Sequence, residues 1–187
     1  MSLESVGVNL DGFRKALSAF ASSVNVITMW DDDDKPLGMT ATAFSSVSAD
    51  PALVLVCINR STRTFERITK RRRFGVNILG SVARDISDYC AKSGADKYLN
   101  EMWLDNDPNW HSPALAGAMA FIDCEIEQEI HAGTHAVLIG AVKEIGLNAH
   151  PQENDPLIYF SGAYRPLQAV VNYPRPQLLP IMLEDVS

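Results

Sequence analysis

The chain has 187 residues, a net charge of −7 and an ordinary globular composition, with 47% hydrophobic and 21% charged residues. This length suits one domain with a sizeable core, and the acidic balance argues against a nucleic-acid surface. No stretch approaches the roughly 20 apolar residues of a membrane span. The first residues, "MSLESVGVNLDGFRK", lack the basic start and apolar segment of a secretory signal. We therefore expect a cytoplasmic protein.

The cysteines and histidines do not predict a disulfide frame or a metal site. Cys57, Cys90 and Cys124 are odd in number, widely spaced and set in apolar surroundings, which is typical of reduced packing residues. The sequence has no CxxC or HExxH motif. His131 and His135 have a spacing that would converge on a helix, but the flanking strand patterns put them across a turn.

The first third of the chain predicts one helix and three strands. A helix over residues 10–22 would bury one face, formed by Phe13, Ala16, Leu17 and Phe20. The segments "VNVITMW" and "LGMTATAFSSVS" predict a strand and its returning partner, and "DDDDKP" between them predicts a solvated hairpin tip. Asp50-Pro51 ends the second strand. The run "ALVLVCI" does not alternate in polarity, which predicts a strand covered on both faces.

The middle of the chain predicts two further helices around a strand. Ser61 or Thr62 is placed to cap a short helix that runs through Lys70, and the strand "FGVNIL" follows. The segment "SVARDISDYCAKSG" predicts a helix with Ser81 as its cap, Gly94 as its stop, and an inner face of Ile86, Tyr89 and Cys90. Residues 95–113 show little regular pattern, and a loop of this length is usually functional, interfacial or mobile.

The last third predicts a long hairpin and a final strand. "FIDCEIEQEI" alternates in polarity, so its apolar residues should face the core and its acidic residues the solvent; these are Ile122, Cys124, Ile126 and Ile130, and Asp123, Glu125, Glu127 and Glu129. "HAGTH" predicts the turn, "AVLIGAVKEI" the returning strand, and "LIYFSGAY" the last strong strand. The proline-rich tail that follows is unsuited to a central strand or a continuous helix.

Six to eight strands joined mainly by hairpins predict a mainly β fold with a few helices. This pattern favours an antiparallel barrel over a βαβ sheet, and the absence of GxGxxG and GxxxxGK[ST] loops agrees. With no internal repeat or linker, we expect a single domain over residues 1–187, with a core at about 10–168 and a C-terminal tail at 169–187.

Hydroxyl residues cluster around the most hydrophobic predicted strand. They either satisfy local backbone groups or hold a ligand that is polar at one end and flat and apolar at the other. A serine nucleophile is disfavoured, because "AFSSVS" has no flanking glycines and no GxSxG elbow is present. The cluster comprises Thr40, Thr42, Ser45, Ser46, Ser48 and Ser61.

Five segments in order resemble the short-chain flavin reductases, which are NAD(P)H-dependent enzymes that supply reduced flavin to a separate monooxygenase. The resemblance covers roughly Phe13 to Leu167, and its segments are "GMTATAFSSVSADPALVLVCIN", "NRSTRT", "FGVNIL", "GTHAVLIGAV" and "LIYFSGAYRPL". The resemblance implies an antiparallel, FMN-binding split β-barrel. It also implies a homodimer with the flavin near the subunit interface, and a monooxygenase partner that is usually an aromatic hydroxylase.

The resemblance implies a flavin site built from the hydroxyl cluster and its neighbours. Met39, Thr40, Ala41, Thr42 and Cys57 belong to the strands expected around the ring. The phosphate would be held near a helix N-terminus by hydroxyl, amide and cationic groups, namely Ser45, Ser46, Asn59, Arg60, Ser61 and Arg63. The flavin is FMN or FAD, and the sequence does not choose between them.

Other positions carry both a site interpretation and a packing interpretation. Phe74 and Asn77 suit the core as well as the cofactor site. Tyr164, with Tyr159 and Arg165, either closes the pocket or packs as aromatic residues of a final strand usually do. The basic run at residues 70–73 is either a solvated helix end or a phosphate contact.

The resemblance implies His135 as the catalytic residue, placed to position the nicotinamide of NADH, with NADPH as the alternative donor. The family often has Gly-Asp-His here, whereas this chain has Gly133-Thr134-His135, so the acidic partner is missing. A turn histidine bonded to backbone is the alternative. At the level of the whole protein, the alternatives are a pyridoxamine-phosphate oxidase-like enzyme and a non-catalytic flavin- or haem-binding module on the same barrel.

Overall fold

The computed structural model describes residues 3–94, 96–149 and 155–167. Three α-helices and two 3-10 turns lie in these ranges: α1 (Leu10–Ser18), α2 (Arg63–Arg71), α3 (Arg84–Cys90), Ser81–Ala83 and Glu101–Trp103. The strands are β1 (Ser22–Ser23), β2 (Asn25–Trp30), β3 (Pro36–Ala41), β4 (Phe44–Ala49), β5 (Ala52–Asn59), β6 (Arg73–Leu79), β7 (Leu104–Asp105), β8 (Ala114–Leu115), β9 (Ala118–Ala132), β10 (His135–Leu147), β11 (Ile158–Phe160) and β12 (Ala163–Arg165).

One seven-stranded sheet organises the described part of the chain, in the order β3-β2-β6-β9-β10-β5-β4. Every pair in it is antiparallel. The predicted mainly β, antiparallel architecture is therefore confirmed. β3 and β4 form the two ends of the sheet, which is not closed. A three-stranded sheet, β1-β11-β12, and a two-stranded sheet, β7-β8, flank it.

Two apolar clusters stabilise the fold. The larger one lies between the sheet and α2, which buries Ile68; it includes Ile27, Val56, Phe74, Val76, Cys124 and Leu138. The second packs α3 and the 99–115 region against the opposite side; it includes Val24, Leu79, Ile86, Cys90, Leu99 and Leu115. The three cysteines are free thiols. Burial raises the pKa of Cys90 and Cys124 to about 12, so both stay protonated near neutral pH.

The first helix forms where predicted but does not bury its apolar face. Asn9 caps α1 by accepting a hydrogen bond from the Gly12 N–H at 2.8 Å, and the helix ends at Ser18. Phe13, Leu17 and Phe20 are 59%, 55% and 72% exposed, and no residue of α1 is buried. Helical periodicity shows that one face is apolar, but it does not show that the covering surface belongs to the same chain.

The strand predictions need four corrections. The returning strand breaks at residues 42–43 into β3 and β4. β5 alternates between buried and half-buried residues, so it is not covered on both faces. "LIYFSGAY" is a hairpin, β11–β12, that turns at Ser161 and Gly162, both with positive φ. In β9, Asp123 is buried and accepts a hydrogen bond from the His111 N–H, and Ile130 is exposed because the β9–β10 hairpin extends beyond the core.

The predicted cap of α2 is confirmed, and the predicted cap of α3 is wrong. Thr62 is the N-cap of α2, and its hydroxyl accepts a hydrogen bond from the Phe65 N–H at 3.2 Å. Ser81 begins a 3-10 turn instead of capping α3, which ends at Cys90, well before Gly94. Within the described ranges, no helix combines the length and apolar character needed to cross a membrane.

The acidic hairpin tip and the basic end of α2 lie against each other. Lys70 Nζ is 2.6 Å from Asp32 Oδ2, and Arg71 Nη2 is 2.7 Å from Asp34 Oδ1. Arg71 also donates to the Asp31 carbonyl oxygen. Asp32, Asp33 and Asp34 are exposed to solvent, as predicted, whereas Asp31 is buried and accepts hydrogen bonds from the Asp33 and Lys35 N–H groups. The acidic and basic runs also neutralise each other. The β2–β3 hairpin is thereby attached to the C-terminal half of α2.

Candidate functional site

A cleft of about 300 Å³ opens between β3 and the N-terminal half of α2. One wall is the flat backbone of residues 37–39, and the other is the first turns of α2. A third segment, residues 94 and 96–97, borders it. The lining residues are Leu37, Gly38, Met39, Ser61, Thr62, Arg63, Thr64, Arg67, Gly94, Asp96 and Lys97.

The connection from β5 to α2, which bears several hydrogen-bond donors, borders this cleft, and internal hydrogen bonds hold its shape. Asn59 Oδ1 accepts hydrogen bonds from the backbone N–H and the hydroxyl of Ser61, both at 2.9 Å. Thr62 donates to the Asn59 carbonyl oxygen at 2.7 Å and caps the helix. These bonds fix the chain so that the helix N-terminus, with its positive dipole end, faces the cleft beside Ser61 and Arg63.

The cleft contains more positive than negative charge. Arg67 donates two hydrogen bonds to the Asp96 carboxylate, at 2.8 and 3.0 Å, and Arg63 approaches the same carboxylate at 3.3 Å. The hydrogen bond from Arg67 holds the pKa of Asp96 below its ordinary value. Lys97 also lines the cleft. A phosphate that enters this cleft would either replace the Asp96 carboxylate as the partner of the two arginines or share the arginines with it.

His135 lies at the β9–β10 turn, next to the donor-bearing connection. It is paired with Asn59 across β10 and β5, and the Arg60 N–H donates to the Thr134 carbonyl oxygen at 3.0 Å. The Thr134 hydroxyl is 2.9 Å from His135 Nδ1. Thr134 therefore orients the exposed imidazole where the related pattern has an acidic residue.

Some residues of the hydroxyl cluster donate hydrogen bonds to backbone carbonyl oxygens, and others are exposed to solvent. The Thr40 hydroxyl donates to the Ser87 carbonyl oxygen at 2.7 Å, which ties β3 to α3. The Ser45 hydroxyl donates to the Ser46 carbonyl oxygen at 3.1 Å. Thr42 and Ser46 are exposed on the segment between β3 and β5. The local interpretation therefore holds for Thr40 and Ser45, and the ligand interpretation of Thr42 and Ser46 stays a prediction.

Phe74 and Asn77, whose sequence context suits the core as well as the cofactor site, both lie in the core. Phe74 is 0% exposed within the larger cluster. Asn77 is also fully buried; its amide donates to the Val26 carbonyl oxygen at 3.2 Å and to the Thr28 hydroxyl at 3.1 Å, and accepts from the Leu115 N–H at 2.7 Å. Neither lines the cleft. Both belong to the core because β6 is a central strand with both faces covered.

The remaining predicted residues lie around the cleft at different depths. Met39 lines it, Ala41 packs against the larger cluster, and Cys57 is half-buried on β5. Arg60 is exposed on the connection to α2. The Tyr164 hydroxyl is 2.9 Å from the Ser87 hydroxyl, so its ring packs beside α3 and does not line the cleft.

Three charged residues of the cleft are missed by sequence reasoning. Arg67 lies one helical turn after Arg63, and this i, i+4 spacing is the sequence signal that puts both residues on one face of α2. Asp96 and Lys97 belong to the loop that the sequence predicts to be functional, interfacial or mobile, but no local pattern links them to α2. Within the described ranges, no group of three metal-ligating side chains converges.

The residues present fit the phosphate end of a flavin. They supply a hydroxyl, the first N–H groups of a helix and two guanidinium groups, which together form an ordinary phosphate-binding set. Leu37 and Met39 of β3 add apolar side chains to one wall of the same cleft. A flat ring system with polar edges suits such a wall.

Comparisons with known proteins agree with this geometry. A family model described as "Flavin reductase like domain" matches residues 17–168. The chain is 35% identical over 151 residues to the reductase component of a flavin-dependent trigonelline monooxygenase from Acinetobacter baylyi, covering 81% of this chain and 47% of the relative. It is 33% identical over 152 residues to the 4-nitrophenol 4-monooxygenase/4-nitrocatechol 2-monooxygenase reductase component from Rhodococcus opacus, covering 81% and 78%.

Solved structures extend the likeness to the fold. The structure of flavin reductase PheA2 superposes with a TM-score of 0.75 at 34% identity, covering 87% of this chain and 100% of PheA2. The chain spans about half the length of some curated relatives that it matches. The predicted fold class, a mainly β, flavin reductase-like split barrel, is confirmed. On the match over residues 17–168 and these relatives, the chain belongs to the flavin reductase family.

Proposed function

We propose that the protein reduces FMN or FAD with NADH and releases the reduced flavin to a separate monooxygenase. The observation that carries this proposal is the cationic cleft between β3 and the N-terminus of α2, which suits a phosphorylated flat ring. Two relatives support the proposal, because each is named as the reductase component of a monooxygenase. NADPH is the alternative donor, and an aromatic hydroxylase is the proposed partner.

The proposed roles of this chain's residues are binding and positioning. Ser61, Arg63 and the first N–H groups of α2 hold the flavin phosphate, while Met39 and its neighbours on β3 lie along the ring. His135 contacts the nicotinamide from the adjoining turn. The two bound cofactors supply the hydride transfer themselves, so the protein has to align them and exclude competing reactions. This division explains why the cleft holds no acid–base dyad among its lining residues.

The direct test mixes the purified protein with NADH and either FMN or FAD under anaerobic conditions. We expect loss of NADH absorbance together with bleaching of the yellow flavin, at a rate far above the protein-free mixture. NADPH and pyridoxamine phosphate serve as comparison substrates. Failure to bleach either flavin with either reduced nicotinamide would refute the proposed function, and oxidation of pyridoxamine phosphate would favour the alternative enzyme.

We further propose that two copies of the chain associate through the apolar face of α1. Phe13 and Leu17 are more than half exposed on this face, and exposed apolar patches of this kind mark interaction surfaces. The Phe13→Asp/Leu17→Asp variant should sediment as a monomer, whereas wild type sediments as a dimer. Lys15→Asp, on the opposite face of the same helix, is the matched control and should remain dimeric. A monomeric wild type, or a double variant that stays dimeric, would contradict this proposal.

A further inference from the structure

A second cavity adjoins the candidate flavin site along the same helix. It measures about 270 Å³ and is lined by Asp32, Arg63, Glu66, Arg67 and Lys70. Arg63 and Arg67 also line the first cleft, so the two spaces share a wall. The shared residues and Lys70 have the i, i+4, i+7 spacing of one helix face, and they extend over about 10 Å of helix axis.

This helix face concentrates positive charge on an otherwise acidic protein. Arg63 and Lys70 keep 70% and 64% of their side chains exposed, while the whole chain has a net charge of −7. Counter-charge comes from three carboxylates, Asp96 in the first cleft and Asp32 and Glu66 in the second, against four cations, Arg63, Arg67, Lys70 and Lys97. The row of cations therefore continues beyond the position proposed for the flavin phosphate.

We infer that the second cavity binds the adenosine diphosphate moiety of a dinucleotide. The inference rests on the proposed function, because it starts from a phosphate held near Ser61 and Arg63. FMN ends at that phosphate. FAD continues through a second phosphate to adenosine, and NADH carries the same moiety. Arg67 and Lys70 are the next cations along the helix, and each presents N–H donors suited to phosphate oxygens.

Asp32 occupies the place that a second phosphate would take on Lys70. Its Oδ2 atom is 2.6 Å from Lys70 Nζ, and both side chains are about 60% exposed. Ion pairs this exposed contribute little to stability, so a doubly charged phosphate chain can displace the carboxylate at small cost. The carboxylate nevertheless repels an incoming phosphate. Asp32 therefore sets the affinity of this cavity, and Lys70 provides the attraction.

The first experiment compares FMN, FAD and free ADP by titration calorimetry on wild type and Lys70→Ala. The dissociation constants of FAD and ADP should rise about five- to tenfold in the variant, because a charge-assisted hydrogen bond is lost. The dissociation constant of FMN should stay within about twofold. Lys143→Ala removes a half-exposed lysine that lines neither cavity, and it should change none of the three.

The second experiment uses two neighbouring aspartates of the same hairpin tip. Asp32→Asn removes the carboxylate beside Lys70, and should tighten FAD and ADP binding about three- to fivefold. Asp33→Asn removes the same charge from a residue that lines neither cavity and only approaches Lys35, at 3.7 Å. It should leave both affinities unchanged. This pair separates a local effect from a change in net charge.

The outcomes show whether FAD or NADH supplies the adenosine diphosphate moiety, and whether the inference holds. A weaker FAD complex in Lys70→Ala assigns the cavity to the flavin. A higher KM for NADH with FMN as acceptor, and unchanged FAD binding, assigns it to the nicotinamide dinucleotide. Equal effects on FMN and FAD, or equal effects of Asp32→Asn and Asp33→Asn, would overturn the inference. A wild type that binds no flavin refutes the proposed function, whereas ADP binding lost in Lys70→Ala still supports the cavity.

Discussion

Replacing Phe74 with alanine should lower the free energy of unfolding by about 3–5 kcal/mol, the usual cost of deleting a buried phenyl ring. The ring is 0% exposed and lies within the larger apolar cluster, beside the sheet and α2. The cost combines lost burial with the cavity that remains. Urea unfolding followed by circular dichroism measures it, and an unchanged denaturant slope would show that two-state comparison holds.

Gly140 provides an internal control for this assignment. A Cβ atom at Gly140 would lie 2.6 Å from Phe74 Cζ and 2.9 Å from Cys124 Cβ, so Gly140→Ala should cost about 1–3 kcal/mol through overpacking. The Phe74→Ala/Gly140→Ala pair should be less destabilised than the sum of its parts, because the methyl group gains room. The relief is partial, since Cys124 remains. Strict additivity, or lost flavin affinity at full stability, would contradict the core role of Phe74.

Local signals predicted the elements that position the site. Thr62 followed by an amphipathic segment predicts α2 and its cap, because capping involves only residues within one turn. Alternating polarity predicts β9, and the Gly133 turn predicts its pairing with β10. These inferences work because period and turn chemistry are properties of neighbouring residues. The elements predicted in this way place the β5–α2 connection and His135 at the same end of the paired strands β5 and β10.

Pairings between distant segments were not predictable from the same signals. Asp96 contacts Arg63 and Arg67 across the cleft, and the acidic hairpin tip contacts Lys70. A charged residue looks the same in sequence whether it faces solvent or another charge. Asp123 is a similar case, because its carboxylate is buried and contacts His111 from a distant loop. Such contacts depend on the assembled topology, which periodicity does not specify.

His135→Ala should lower kcat/KM for NADH about 10- to 100-fold while leaving the dissociation constant of the flavin nearly unchanged. Loss of one positioning contact to the nicotinamide corresponds to roughly 1.4–2.7 kcal/mol of transition-state stabilisation. The imidazole is exposed at the turn, and its Nδ1 atom is 2.9 Å from the Thr134 hydroxyl. Stopped-flow reduction with saturating flavin separates the effect on binding from the effect on the rate.

The same hairpin supplies both comparisons that this prediction needs. His131 is bonded to Glu129 at 2.8 Å, so His131→Ala removes an imidazole from the neighbouring strand and should leave the kinetics unchanged. Thr134→Val removes the hydroxyl that orients His135, and should cause a smaller loss than His135→Ala because the imidazole remains. Unaltered steady-state kinetics in His135→Ala would exclude His135 from the site. Equal losses in the two histidine variants would indicate that the hairpin, and not the His135 side chain, is responsible.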